Sequence, residues 1–125
     1  MLKTCLIVGL GSMLGGMLRF WVARITPPAA GCAFPTGTFV ANVVGCLAIG
    51  VFYGLFDRGQ LLNTQLKLFL TVGLCGGFTT FSTFMNENFQ LVSRHDFMLA
   101  GLYTALSLLT GFGMLWLGQW LVKSI

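Results

Sequence analysis

Long apolar runs alternate with short polar ones along the chain. A helix needs about 20 predominantly apolar residues to cross the hydrocarbon core of a bilayer. Stretches of that kind run from about Thr4 to Ala23, Thr36 to Phe56, Leu66 to Val92 and Phe97 to Val122. The pattern therefore predicts an all-α membrane protein with four transmembrane helices in a single domain, residues 1–125. The connections are short. Pro27, Pro28, Gly31 and Pro35 stop the first helix and delay the second. Asp57-Arg58-Gly59-Gln60 and Ser93-Arg94-His95-Asp96 read as polar turns.

The third span holds an irregular stretch, Gly73-Leu74-Cys75-Gly76-Gly77-Phe78-Thr79-Thr80-Phe81-Ser82-Thr83-Phe84. A glycine pair followed by β-branched threonines is poor helix material, so a break is expected at mid-membrane. A break frees backbone carbonyls and N–H groups, which survive there only where they meet an ion, water or protein. Interrupted helices recur at ion sites in transporters, and freed carbonyl oxygens suit a cation. A kinked structural helix is the alternative.

Composition removes the soluble reading. Apolar residues make up 56% and charged residues 8% of the chain, against about 25% charged in soluble domains. The net charge is +4, but Lys3, Arg24, Arg58, Lys67, Arg94 and Lys123 stand singly beside apolar runs. They read as interfacial anchors and topology signals, with no basic cluster for nucleic acid. The run after Lys3 resembles a signal peptide, but Arg19 and Arg24 follow it without a small-residue cleavage site, so a retained first helix is expected. Cys5, Cys32, Cys46 and Cys75 have no metal or redox spacing and read as buried free thiols.

With four spans, Lys3, Arg58, Lys67 and Lys123 fall on one side, and Arg24 and Arg94 on the other, with Arg19 just inside. So weak a bias allows insertion in both orientations and antiparallel pairing. Oligomerisation is expected, because one four-helix chain of this size has little interior. Gly11 and Gly15, Gly50 and Gly54, and Gly73 and Gly77 allow close helix approach, with generic packing as their plainest use.

Polar residues inside spans usually face a protein interior or a water-filled path. Asn42 has two roles open to it: an interhelical hydrogen bond, or an amide N–H offered to a solute. Phe81 and Phe84 share a helix face, and aromatic ring edges are electropositive enough to hold a small anion. Ser82 and Thr83 add hydroxyl donors beside them. Tyr103, Ser107 and Thr110 make a stripe that lines a path, bonds neighbouring helices or bonds its own carbonyls. Arg19 either snorkels to the interface or draws anions into a vestibule. Glu87, between Asn86 and Asn88, reads as interfacial, and the lone His95 makes neither a metal site nor a triad. No nucleophile–base constellation points to an enzyme.

These residues resemble the CrcB/Fluc family of fluoride channels over essentially the whole chain. The resemblance rests on Gly15-Gly16-Met17-Leu18-Arg19-Phe20, on Gly37-Thr38 with Asn42 and Gly45, and above all on Gly76 to Phe84. It implies an antiparallel, dual-topology homodimer in the bacterial inner membrane, with two fluoride pathways and a structural sodium ion at the dimer centre. It implies that Gly76 and Thr79 supply backbone carbonyls to that sodium. Phe81 and Phe84 match the phenylalanines whose edges meet fluoride, Asn42 the pore asparagine, and Ser107 the polar track of the fourth helix. Gly111 stands where some relatives carry a hydroxyl. A second function class is a small proton-coupled exporter of cationic compounds, which needs a carboxylate deep in the membrane. A third is a structural subunit of a larger membrane complex.

Overall fold

A computed structural model describes residues 1–26, 34–59 and 63–124. Pro27, Pro28, Gly31 and Cys32 of the first connection, and Gln60 of the second, lie outside the described residues. Helix α1 covers Leu2–Ile25, and the Thr26 hydroxyl closes it by donating to the Val22 carbonyl at 2.6 Å. Helix α2, Thr36–Asp57, begins directly after Pro35, which lacks an N–H to leave unsatisfied. It ends where Gly59 takes a left-handed φ of 76°.

The third span, Thr64–Ser93, is a composite. The Asn63 side chain caps its first turn by accepting from the Gln65 and Leu66 N–H groups at 2.9 and 3.3 Å. Helix α3, Thr64–Leu68, passes into a π-helical segment, Phe69–Cys75, and then into the short α4, Gly76–Phe78. Thr79 and Thr80 are extended, with ψ of 157° and 124°, and α5 resumes over Phe81–Ser93. Helix α6 runs uninterrupted from Phe97 to Ser124. The irregularity falls within the expected stretch, Gly73 to Phe84, at its threonines. The glycine pair is helical, with φ −62° at Gly76, and the threonines after it leave the helix.

Four helical spans are long and apolar enough to cross a membrane, so the protein is an integral membrane protein. Lys67 places its amine 5.5 Å from the Tyr53 ring centre and 5.6 Å from that of Phe56. A cation held over aromatic rings is a common arrangement at a membrane surface.

Helix α1 packs along the third span, and α2 along α6. Glycines make both contacts possible. A Cβ at Gly11 would lie 2.7 Å from the Phe69 carbonyl oxygen, and one at Gly73 2.8 Å from that of Val8. At Gly15 and Gly50 it would run into the carbonyls of Leu74 and Leu115. Lipid tails are as apolar as leucine, so helices in a bilayer associate through such close backbone packing rather than through hydrophobic burial. The glycine pairs singled out in the sequence are thus used within one chain. The larger buried side chains are few: Phe84, Leu91 and Tyr103 gather with Ala100 where α5 meets α6, with Phe34 and Phe39 against them.

Candidate functional site

The extended residues Thr79 and Thr80 organise the site. In a continuous helix the Thr80 N–H would donate to the Gly76 carbonyl. Here it donates to Asn42 Oδ1 at 2.9 Å, while Asn42 Nδ2 donates to the Thr80 carbonyl at 3.3 Å. One side-chain amide from α2 therefore satisfies both backbone groups of an extended residue. The Thr80 hydroxyl oxygen accepts from the Thr83 N–H at 3.3 Å and caps α5. With the Thr80 and Thr83 N–H groups engaged elsewhere, the carbonyls of Gly76 and Thr79 lose their helical donors. The Gly77 carbonyl accepts from Arg19 Nε at 3.4 Å, so this half-buried guanidinium reaches the end of α4.

Asn42, Cys46, Thr79, Thr80, Phe81, Phe84 and Ser107 line an open cavity of about 270 Å³. The Phe81 and Phe84 ring centres are 6.2 Å apart. Phe84 is buried, whereas Phe81 is 74% exposed and projects from the chain. The Ser107 hydroxyl oxygen is buried and has no hydrogen-bond partner among the described residues. A buried unpartnered hydroxyl is costly, and its presence here calls for a partner.

Five of the residues expected from sequence meet at this cavity: Asn42, Thr79, Phe81, Phe84 and Ser107. The others lie elsewhere. Ser82 is exposed on α5, Gly76 is exposed on α4, and Thr83 is half-buried beside the cap. Tyr103 is fully buried, with its ring 5.0 Å from Phe84 and 5.3 Å from Phe34. Its hydroxyl donates to Glu87 Oε1 at 3.0 Å, and the Thr38 hydroxyl donates to Glu87 Oε2, also at 3.0 Å. Glu87 had read as interfacial. The structure draws its carboxylate inward, between α2 and α6, where two hydroxyls satisfy it. A signal for this existed: Thr38 lies one turn before Asn42 on α2, and Glu87 follows Phe84 by three on α5, so each shares a face with a site residue. Beside it the Thr104 hydroxyl donates to Asn88 Oδ1 at 3.0 Å, a second polar tie between α5 and α6.

A family model described as CrcB-like protein, Camphor Resistance (CrcB), matches residues 6–119. A protein of Flavobacterium psychrophilum named fluoride-specific ion channel FluC is 40% identical over 124 residues, covering 99% of this chain and 100% of that one. A protein of the same name from Leptospira interrogans is 37% identical, covering 98% of this chain and 96% of its own length. Another from Rhizobium leguminosarum is 42% identical over 82% of each chain.

Proposed function

The chain belongs to the CrcB family, and from that premise we propose that it is a fluoride-selective channel, passing fluoride passively out of a bacterial cell through the inner membrane. The observation that carries this reading is the cavity at Thr79 and Thr80, where Asn42, Phe81, Phe84 and an unpartnered Ser107 hydroxyl come together. Fluoride is small and strongly hydrated, so donors must replace its water. Ser107 offers its O–H, and Asn42 keeps one amide hydrogen beyond the one given to Thr80. Phe81 and Phe84 offer ring edges. Ser82 and Thr83, and Tyr103 with its Glu87 partner, extend the polar surface on either side of these rings. Among the described residues, none lining the cavity carries a positive charge, which suits binding weak enough for release. An inside-negative potential drives an anion outward.

The working unit in this reading is an antiparallel homodimer with dual topology. Its support is the weak bias of basic residues between the two ends of the spans, and a surface that lipid would not solvate. Ser82, Asn86 and Gln90, four apart on α5, are all exposed, and so is Gly76. The interruption in the third span then lies at mid-membrane, near the partner copy. The carbonyls of Gly76 and Thr79, stripped of helical donors, fit a hard cation such as sodium at the dimer centre. When bound, such an ion supplies fixed positive charge that offsets the cost of desolvating an anion nearby. Arg19, held at the Gly77 carbonyl, adds positive potential from α1. A proton-coupled exporter of cationic compounds is not favoured. The relatives carry a channel's name, and both Glu87 oxygens already accept hydroxyl hydrogen bonds.

The test is efflux from liposomes containing the purified protein and loaded with fluoride or chloride. Fluoride leaves and chloride stays; equal rates for both, or none for fluoride, would sink the reading. Phe81→Ile and Phe84→Ile, made separately, each lower fluoride throughput, by about fivefold if an edge contact worth about 1 kcal/mol is lost. Unchanged throughput in both removes the rings from the pathway.

A further inference from the structure

Phe34 stands directly before Pro35, the residue from which α2 begins. Its ring centre is 5.4 Å from that of Phe39, with the planes at 67°. With Pro35 at the cap, Phe34 and Phe39 hold the two positions that staple the start of a helix. Such a staple fixes the angle at which the chain enters α2, and that is the ordinary use of the pair. It needs no third ring. Phe34 nevertheless has one: Tyr103 of α6, at 5.3 Å and 80°.

Tyr103 links this ring to the cavity. Its own ring lies 5.0 Å from that of Phe84, which lines the cavity, and its hydroxyl donates to Glu87. Glu87 in turn accepts from Thr38, one turn before Asn42 on α2. The polar groups thus run from the cavity toward the start of α2: first Asn42, then Thr38 with Glu87 and Tyr103. One helical turn, about 5.4 Å, separates Asn42 from Thr38, and the residues just before the helix follow after about as much again. Phe34 closes this series at the connection between α1 and α2. It is partly buried, whereas Tyr103 beneath it is fully buried. An apolar ring therefore stands between a column of polar groups and the end of the spans.

We propose that the Phe34 side chain closes the aqueous end of the fluoride pathway and limits its throughput, leaving the choice of ion to the inner cavity. This rests on the reading of the cavity as a fluoride pathway, extended along Tyr103 and Glu87. An apolar constriction bars an ion because water leaves it readily. Fluoride that has exchanged its water for Asn42 and Ser107 regains it only past Phe34. The Phe34 carbonyl accepts from the Thr36 N–H at 2.9 Å and from the Thr36 hydroxyl at 3.3 Å. The backbone is thus anchored, and the movement that admits an ion falls to the ring.

The experiment records single-channel fluoride and chloride currents from the full-length protein in planar bilayers. Phe34→Ala raises the fluoride current at least about threefold, Phe34→Leu raises it less, and Phe34→Trp lowers it. Chloride current stays absent in all three. Phe97→Ala is the control: that ring, at the start of α6 and at the same end of the spans, is 61% exposed, and its loss leaves the current unchanged. A ring that only staples α2 gives another pattern, because every replacement then weakens the helix start and none increases the current. Fluoride current that Phe34→Ala and Phe34→Leu leave unchanged or lower, or chloride passing alongside fluoride, overturns the proposal. Should Phe34→Ala yield no monodisperse protein, opposite signs in Phe34→Leu and Phe34→Trp uphold it and equal signs overturn it. If the natural protein carries no fluoride current, the channel reading itself fails, and this proposal with it.

Discussion

The third and fourth spans are of similar length and equally apolar, 30 and 28 residues, yet they are built in opposite ways. Helix α6 is continuous, so its interior backbone groups bond one another. It meets α2 through shape: a Cβ at Gly118 would lie 2.6 Å from the Leu47 carbonyl oxygen. The third span passes through α-, π- and extended backbone, and several of the groups this frees are met by side chains from other helices. Asn42 comes from α2 and Arg19 from α1. The continuous helix satisfies its interior backbone by itself and meets its neighbours by close packing and by side-chain bonds from Tyr103 and Thr104. The interrupted one also needs neighbours to satisfy backbone groups it has freed, because no water at membrane depth does so. Polar side chains and a cavity gather around the interrupted span for that reason.

The largest expected effect tests the packing that both spans share. Gly15→Val and Gly50→Val each drive a side chain into a backbone carbonyl, of Leu74 and Leu115 respectively. Backbone cannot swing aside as a flexible side chain can, so each variant loses about 3 kcal/mol or more, the upper end for overpacking. The measurement is the yield and thermal midpoint of monodisperse protein in detergent. Natural stability in either variant would break the account of that helix pair.

Next comes the bond that only the third span has. Asn42→Ala leaves the Thr80 N–H and carbonyl without their side-chain partner, at a cost of about 2 kcal/mol. Hydrogen exchange separates this from general loosening: protection falls at the Thr80 amide while α6 amides stay protected. Equal loss across both spans would erase the distinction between them.

The smallest effect lies where the two spans join. His95 takes a left-handed φ of 64°, with its N–H on the Val92 carbonyl and the Asp96 N–H on that of Leu91. This is a Schellman end, and glycine suits that position best. His95→Gly raises stability by about 0.5 to 1 kcal/mol, read as a small rise in thermal midpoint with fluoride efflux unchanged. A fall instead would show that the imidazole, 5.9 Å from the Phe97 ring, holds the turn by contact.

The four spans were legible because hydropathy accumulates along a single helix and needs no knowledge of neighbours. The cavity was partly legible. Asn42, Phe81, Phe84 and Ser107 stand out as polar or paired residues inside apolar runs, and they meet. Two features were harder to see. A break is expected in the run of Gly76-Gly77 and the threonines after it; only the structure divides that run, with Gly77 helical in close approach to Ser12 of α1 and the threonines extended. Glycine's helix cost of about 1 kcal/mol is small beside the packing it permits. Glu87 reads as interfacial from its place toward the end of the third span between two asparagines; what the sequence does not show is which way its side chain turns. It turns inward because Thr38 and Tyr103 offer two hydroxyls to a carboxylate that lipid would not solvate.

The sequence by itself determined the solvent of this protein, the number of its spans and the family to which it belongs. Each of these follows from residue identities in order along the chain. Only the tertiary structure decided which polar group answers which. The Thr80 backbone is paired with an amide 38 residues away, the Gly77 carbonyl with a guanidinium 58 residues away, and the Ser107 hydroxyl with nothing among the described residues. Such pairings depend on which helix faces are brought together, and glycine contacts between backbones set that arrangement; the pattern within one helix marks the glycines but not the partner each one meets.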